Sequence, residues 1–273
     1  MRTEATVPRM PWWQATRETV AMVVGLGTLA LLCLSWFPAA AVLHLLLPRR
    51  TGQWLGRRVA CHGFRFYLRV LELACGCRFD LAALDGLGRE GAMIVAANHP
   101  SLLDAVLLVS RLPNAVCIMK AALLDNPMFG AGARLARYIR NDNLVNLISR
   151  SRAALREGTQ IIVFPEGSRT EQFPIDRVLP SIGLVAQRAQ VPVQVVLLDF
   201  SSPYLGKGWP IWRRPSLPLV VTARLGQRFD APQDVPTFTD ALQRHFDDAL
   251  SPESADAATD TARPCTPPRP ISS

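Results

Sequence analysis

Residues 92–104 read Ala92-Met93-Ile94-Val95-Ala96-Ala97-Asn98-His99-Pro100-Ser101-Leu102-Leu103-Asp104. A short apolar run that leads into turn residues predicts a strand over 92–97. An apolar-periodic stretch follows and predicts a helix over 102–112. Pro100 suits a first helical position, which puts His99 at the helix start and Asp104 one turn further in. A carboxylate that reaches back to one imidazole nitrogen fixes the tautomer and leaves the other nitrogen as a base toward an alcohol. The competing reading is a His that caps a helix and an Asp in a surface ion pair.

The same texture continues outward from this stretch. Short apolar runs at 115–119, 160–164, 193–200 and 219–225 predict strands. Stretches at 128–136, 144–157, 182–190 and 238–250 predict helices. That alternation is the pattern of an α/β fold, a central mostly parallel or mixed sheet with flanking helices. A second polar block, Phe164-Pro165-Glu166-Gly167-Ser168-Arg169-Thr170, ends the strand at 160–164. Its Gly lets backbone approach a ligand closely, its N–H groups can face a phosphate or an oxyanion, and Arg169 offers a bidentate fork for phosphate. The plain alternative is a β-turn with a solvated Arg.

The chain has 273 residues, 49% hydrophobic and 19% charged, which excludes a wholly disordered protein. Its net charge of +8 is unevenly placed. Residues 1–78 hold ten Arg against Glu4, Glu18 and Glu72, whereas residues 79–273 hold 20 basic and 19 acidic groups. A basic excess calls for an anionic partner. Here it accompanies the 28 residues 20–47, which contain no Asp, Glu, Lys or Arg. As a helix that run would be ~42 Å long. It suits a membrane element, either one tilted, kinked span or a shallow hairpin bent at Pro38. It is too long for the apolar core of a cleaved signal. Residues 54–74 predict an amphipathic helix with Arg57, Arg58, His62, Arg65 and Arg69 on one arc. That pattern suits a helix lying in a membrane interface, or a surface helix packed on the core. The division into units is therefore 1–78 membrane-anchoring and interfacial helices, 79–250 a catalytic domain, and 251–273 a Pro-, Ala-, Ser- and Thr-rich disordered tail.

Several other readings fail. Gly25-Leu26-Gly27-Thr28-Leu29-Ala30 fits a loose dinucleotide fingerprint but lies inside the apolar run, with no strand before it. The six cysteines lack the spacing of a metal site or redox pair, so no metal and no bound cofactor is expected. There is no G-x-S-x-G, Walker A or H-E-x-x-H motif. A nucleic-acid partner is not expected, because the charge excess sits in the membrane-like segment.

Asn98-His99-x4-Asp104, followed about 60 residues later by Phe164–Thr170, resembles the glycerolipid acyltransferase family, that of bacterial 1-acylglycerol-3-phosphate and related lysophospholipid acyltransferases. The resemblance implies an O-acyltransferase with His99 as base and Asp104 as its support. Backbone near Gly167 would stabilise the oxyanion, Arg169 would hold an acceptor phosphate, and Glu166 and Ser168 would belong to the acceptor site. It implies a membrane lipid acceptor and an acyl thioester donor, acyl carrier protein or coenzyme A, as co-substrate. It places the enzyme on the inner membrane with its catalytic domain on the cytoplasmic side. Lys120 looks like the family's phosphate-side Lys. The family's aliphatic-x-Arg pattern departs here: Tyr138-Ile139-Arg140-Asn141 puts Arg140 one position early. Val191-Pro192-Val193 resembles the block that lines the acyl pocket. The stretches 120–127 and 207–215 resemble, more weakly, acyltransferases of aryl-polyene-type lipid clusters, which implies a specialised acceptor. A non-catalytic, membrane-anchored lipid-binding protein is the reading from another class.

Overall fold

A computed structural model describes residues 11–251; the predicted tail beyond Ser251 lies outside the described residues. The strand read at 92–97 is central to the sheet. In chain order the elements are α1 (Trp12–Leu46), α2 (Arg49–Cys75), β1 (Arg78–Asp80), β2 (Ile94–Ala97), α3 (Asp104–Arg111), β3 (Ala115–Lys120), α4 (Ala121–Asp125), α5 (Pro127–Leu135), β4 (Ile139–Asn141), α6 (Leu144–Arg156), β5 (Gln160–Val163), α7 (Ser181–Ala189), β6 (Val193–Phe200), β7 (Val220–Phe229) and α8 (Val235–Ala249). The seven strands order as β1-β7-β6-β2-β5-β3-β4. All neighbours are parallel except β6 and β7.

The alternation of side chains along the strands builds two cores. Ile94 and Ala96 of β2 join Val193, Val195, Ile182, Phe238 and Phe246 on one face. Val95 and Ala97 join Leu107, Leu108, Val196 and Leu198 on the other. With both faces covered, the strands read as continuous apolar runs instead of alternating ones, which is why they were legible.

Three expectations are corrected. First, the helix predicted over 102–112 begins at Asp104; Ser101–Leu103 form a turn, so Pro100 is not a first helical residue. The turn exists because Asp104 Oδ2 accepts the Ser101 N–H (2.9 Å) and Ser101 Oγ accepts the Leu103 N–H (3.2 Å). Second, α1 runs unbroken through Pro38 and the chain reverses at Leu47–Pro48 instead. Pro38 sits on the exposed side, where the lost bond to the Leu34 carbonyl faces outward. Third, the Arg arc of α2 is divided. Arg57 is buried and donates to Ala136 O (3.2 Å), Asn114 Oδ1 (2.9 Å) and Thr159 Oγ1 (2.9 Å), and Arg65 donates to Ser110 O (2.6 Å). Arg58, His62 and Arg69 are exposed. The helix therefore fastens to the domain through part of the arc that periodicity assigned to a membrane surface.

Helix α1 is long and apolar enough to cross a membrane, with a mean hydropathy of 2.2 over its most apolar window. Val20, Val23, Leu31, Leu34, Val42 and Leu45 recur at helical spacing and are exposed, forming one uncharged stripe. The opposite face packs on α2 and α5: Gly25 approaches Leu71, and Ala40 meets Ala131 and Leu135.

Candidate active site

The site is assembled at the carboxyl ends of neighbouring strands. β2 and β5 are hydrogen-bonded partners in the register Ile94↔Ile161 to Ala96↔Val163. The loops that leave them, carrying His99 and Glu166, are therefore adjacent although far apart in sequence. Asn98 extends the sheet one step past β2. Its side-chain amide donates to Leu198 O (2.9 Å) and accepts the Leu198 N–H (2.8 Å), mimicking a strand pair and fixing where the chain turns into His99.

His99 Nδ1 lies 2.8 Å from Asp104 Oδ2. The Asp104 side chain is 0% exposed and that of His99 17% exposed. The other carboxylate oxygen, Oδ1, is buried without a hydrogen-bond partner. Burial raises the Asp104 carboxyl to about 6, against the opposing pull of His99 and the Ser101 N–H. The imidazole stacks on Phe164, with centroids 3.9 Å apart and planes 13° from parallel. One ring nitrogen is thus tied to a carboxylate, one ring face is covered, and Nε2 is left as the reactive position.

Glu166 does not line the cavity; it is buried and joins the two loops. Its Oε1 accepts the His99 N–H (2.8 Å) and its Oε2 accepts the Asp176 N–H (3.0 Å). Burial raises its carboxyl, and these donors oppose the rise. A backbone bond from Thr170 N–H to His99 O (2.9 Å) closes the same junction. Gly167 adopts φ +71°, the left-handed region, with its N–H bonded to Phe164 O (3.0 Å). That turn exposes Gly167 and presents Ser168 and Arg169. Arg169 Nη1 donates to Leu205 O (2.9 Å) and Gly206 O (2.7 Å), which holds the guanidinium in place without neutralising it.

A cavity of about 550 Å³ opens beside His99. His99, Lys120, Asn141, Gly167, Ser168 and Arg169 are among its polar lining, and Val109, Leu147, Ile161, Val163 and Val185 are among its apolar walls. Its origin lies in the sheet: β3 pairs with β5 through Cys117 and then with β4 from Ile118 onward, so the carboxyl ends of β3 and β5 part. A second, apolar cavity of about 390 Å³ lies among α1, α2 and α5 and shares Phe64, Met119 and Tyr138 with the first.

The structure therefore gathers His99, Asp104, Lys120, Glu166, Gly167, Ser168 and Arg169. It does not gather Arg140. That guanidinium forms a two-pronged pair with Asp125 (2.5 and 2.9 Å) and a third contact to Asp142 (2.6 Å), and the neighbouring Asn141 faces the cavity instead. Strand alternation is the reason: consecutive β4 residues point to opposite sides. Val191 and Val193 are core residues and do not line the cavity. Four residues contribute in roles that the sequence reading did not assign. Asn98 and Phe164 lay inside the quoted blocks, and an amide at a strand end was a usable signal for the first. The carbonyls of Leu205 and Gly206 carry no side-chain signal. Among the described residues no cluster of His, Cys, Asp or Glu could hold a metal ion.

Comparison with known proteins bears on the fold and the family that carry this site. The Acyltransferase family model matches residues 78–198. A 1-acyl-sn-glycerol-3-phosphate acyltransferase of Helicobacter pylori is 28% identical over 48% of this chain and 60% of its own length. The 1-acyl-sn-glycerol-3-phosphate acyltransferase beta of Homo sapiens is 28% identical over 64% of this chain and 65% of its own length. The chain thus spans less than two thirds of either relative. The crystal structure of the 1-acyl-sn-glycerophosphate acyltransferase PlsC from Thermotoga maritima shares the fold, with a TM-score of 0.65 at 15% identity, covering 93% of this chain and 100% of that one. The Acyltransferase match, the named relatives and the common fold agree with one another, and residues 78–198 carry an acyltransferase-family domain similar to those of glycerolipid acyltransferases.

Proposed function

We propose that this protein moves an acyl chain from a thioester, acyl carrier protein or coenzyme A, to a hydroxyl of a lysophospholipid such as 1-acylglycerol-3-phosphate. The observation that carries the reading is the His99–Asp104 pair set beside the Gly167–Arg169 turn at the mouth of an apolar cavity. His99 Nε2 takes the acceptor's hydroxyl proton. The oxygen attacks the thioester carbonyl, a C–O bond forms, the C–S bond breaks, and the departing thiolate takes the proton back from His99. Asp104 offsets the charge that the imidazole gains. With the Gly167 N–H already engaged, the N–H groups of Ser168 and Arg169 are the turn's donors for the oxyanion. Arg169 and Lys120 receive substrate phosphate. The apolar cavities receive acyl chains.

Membrane attachment belongs to the same reading. The uncharged stripe of α1 faces away from the protein, yet α1 touches the domain near both ends, through Arg214 Nη1 to Ala15 O (3.1 Å) and through Ala40 on Ala131. A helix held at both ends by one domain fits a lipid surface along its length better than a crossing. We place the α1–α2 hairpin half-immersed in the cytoplasmic leaflet of the inner membrane, with the site opening toward it.

The outward turn of Arg140 and inward turn of Asn141 favour one variant of this reading, the same chemistry on a specialised lipid acceptor. Product lipids from the purified full chain, offered lysophosphatidate and other lysolipids with either donor, decide between acceptors. His99→Ala is the test of the chemistry: transfer at the wild-type rate would refute it, and the expected loss is about 10²- to 10⁴-fold.

A further inference from the structure

The β6–β7 connection, residues 201–219, is long, and the mechanism above uses only its carbonyls. It is bound to both motif loops. Ser101 Oγ donates to Tyr204 O (2.8 Å), the Leu102 N–H donates to Leu205 O (3.1 Å), and Arg169 Nη1 reaches Leu205 O and Gly206 O. Leu205 adopts φ +58°, a conformation unfavourable for a side chain with a Cβ, and it persists because its carbonyl is held from two sides. Gly206 packs so closely that a Cβ there would lie 3.0 Å from Pro203 O and 3.3 Å from Pro100 O. This tight bend has one visible product: it delivers Lys207 to the rim of the cavity.

Lys207 Nζ lies 3.3 Å from the hydroxyl of Ser168, a cavity-lining residue, and forms an ion pair with Glu171. Both partners of that pair face solvent, at 38% and 57% side-chain exposure, and an exposed pair of this kind contributes little stability. A phosphate monoester carries more charge than a carboxylate and more acceptor oxygens, and a Lys ammonium meets it as a flexible point charge. From the same rim, Arg169 offers a fixed guanidinium and Ser168 a rotatable hydroxyl.

We propose that Lys207 is a phosphate ligand of this site and that Glu171 is its resting counter-ion, displaced when a substrate phosphate enters beside Ser168 and Arg169. The inference rests on the acyl-transfer reading for its substrate but not for its geometry. It also accounts for a cavity rim that has Asn141 on the β4 side: the third cation comes from the opposite loop.

Two sources of phosphate exist, the acceptor headgroup and the phosphate-bearing thioester donor, and kinetics on the full chain in mixed micelles separate them. Lys207→Met is expected to raise a substrate KM about 10-fold with kcat within about 2-fold, Lys207→Arg to restore it, and Glu171→Gln to lower the same KM about 2- to 3-fold. A rise confined to 1-acylglycerol-3-phosphate and absent with monoacylglycerol assigns the headgroup; a rise in the thioester KM with both acceptors assigns the donor. Binding of 1-acylglycerol-3-phosphate and of the acyl thioester to the His99→Ala protein, with and without Lys207→Met, reads the site without turnover. Failure of the wild type to transfer acyl groups, with binding still dependent on Lys207, would sink the function and leave this inference standing. Unchanged KM values and unchanged binding in Lys207→Met, or a KM raised by Glu171→Gln, would overturn it.

Discussion

Replacing Asp104 with Asn separates the charge of this side chain from its geometry. Oδ2 already receives both the Ser101 N–H and His99 Nδ1, while Oδ1 has no partner. An Asn oxygen therefore takes the Oδ2 position, where its acceptor role is unchanged, and the NH2 falls where Oδ1 was. The imidazole keeps its tautomer and loses only the negative charge behind it. kcat/KM is expected to fall about 10²- to 10⁴-fold. Stability moves oppositely with pH. The folded carboxyl sits at about 6 and its ordinary value is 3.8, because burial penalises the ionised form. The folded state therefore holds the proton more tightly than the unfolded chain. Below pH 3.8 both states are protonated and Asp104 carries no penalty; above about 6 the fold bears the buried charge. Wild-type stability thus declines relative to Asp104→Asn by about 1.4 kcal/mol per pH unit inside that window, to about 3 kcal/mol in all. Denaturant unfolding of both proteins from pH 4.5 to 8, with acyl-transfer rates on the same samples, tests this. A stability difference flat across that range would refute the buried-charge argument. An Asn variant within tenfold of wild-type activity would refute the electrostatic role. The wild-type rate should itself decline as pH drops through about 6, as Asp104 takes up its proton.

The remaining expectations concern the frame around that pair. Glu166→Gln must set an NH2 against either the His99 or the Asp176 N–H, so both melting temperature and kcat should drop, with a loss of about 1–3 kcal/mol by denaturant unfolding. Arg57→Met leaves Ala136 O, Asn114 Oδ1 and Thr159 Oγ1 without their donor; a cost of about 2–4 kcal/mol with kcat per folded molecule preserved would mark Arg57 as a fastening between α2 and the domain. Gly167→Ala puts a Cβ 2.8 Å from Leu179 Cδ1 at a positive φ, so kcat should drop further than a loss of about 1–2 kcal/mol in stability would explain.

What the sequence made legible follows from how each feature is encoded. β2, β5 and β6 are buried on both faces and announce themselves as apolar runs, so the loops at their ends, with His99 and Glu166, are legible in the sequence. β1 and β4 have three residues each, too few for periodicity to register, and with β4 unread the direction of Arg140 could not be inferred. Periodicity put Arg57 on the right arc but is blind to what that arc meets; the acceptors that bury it come from residues 79 and 102 positions away. The Leu205 and Gly206 carbonyls, on which Arg169 rests, are backbone atoms, and every residue has one.

The strand order explains why these pieces meet. From β2 the chain runs to β3, two places along the sheet, and later returns to fill the gap with β5 and then crosses β2 to add β6 on its other side. Connections leaving β2 therefore diverge from those of its neighbours, and such a point in an open α/β sheet is where ligands bind. The loops after β6, β2 and β5 are consecutive along that edge: residues 204–207, then His99, then Gly167–Arg169. Lys120 and Asn141 continue the row from β3 and β4. Glu166 bonds the second loop to the third and the Leu205 carbonyl bonds the first to both. None of the three loops after β6, β2 and β5 can move without breaking a bond to its neighbour, so the spacing from His99 to Arg169 and Lys207 follows the 4.7–4.9 Å repeat of the sheet.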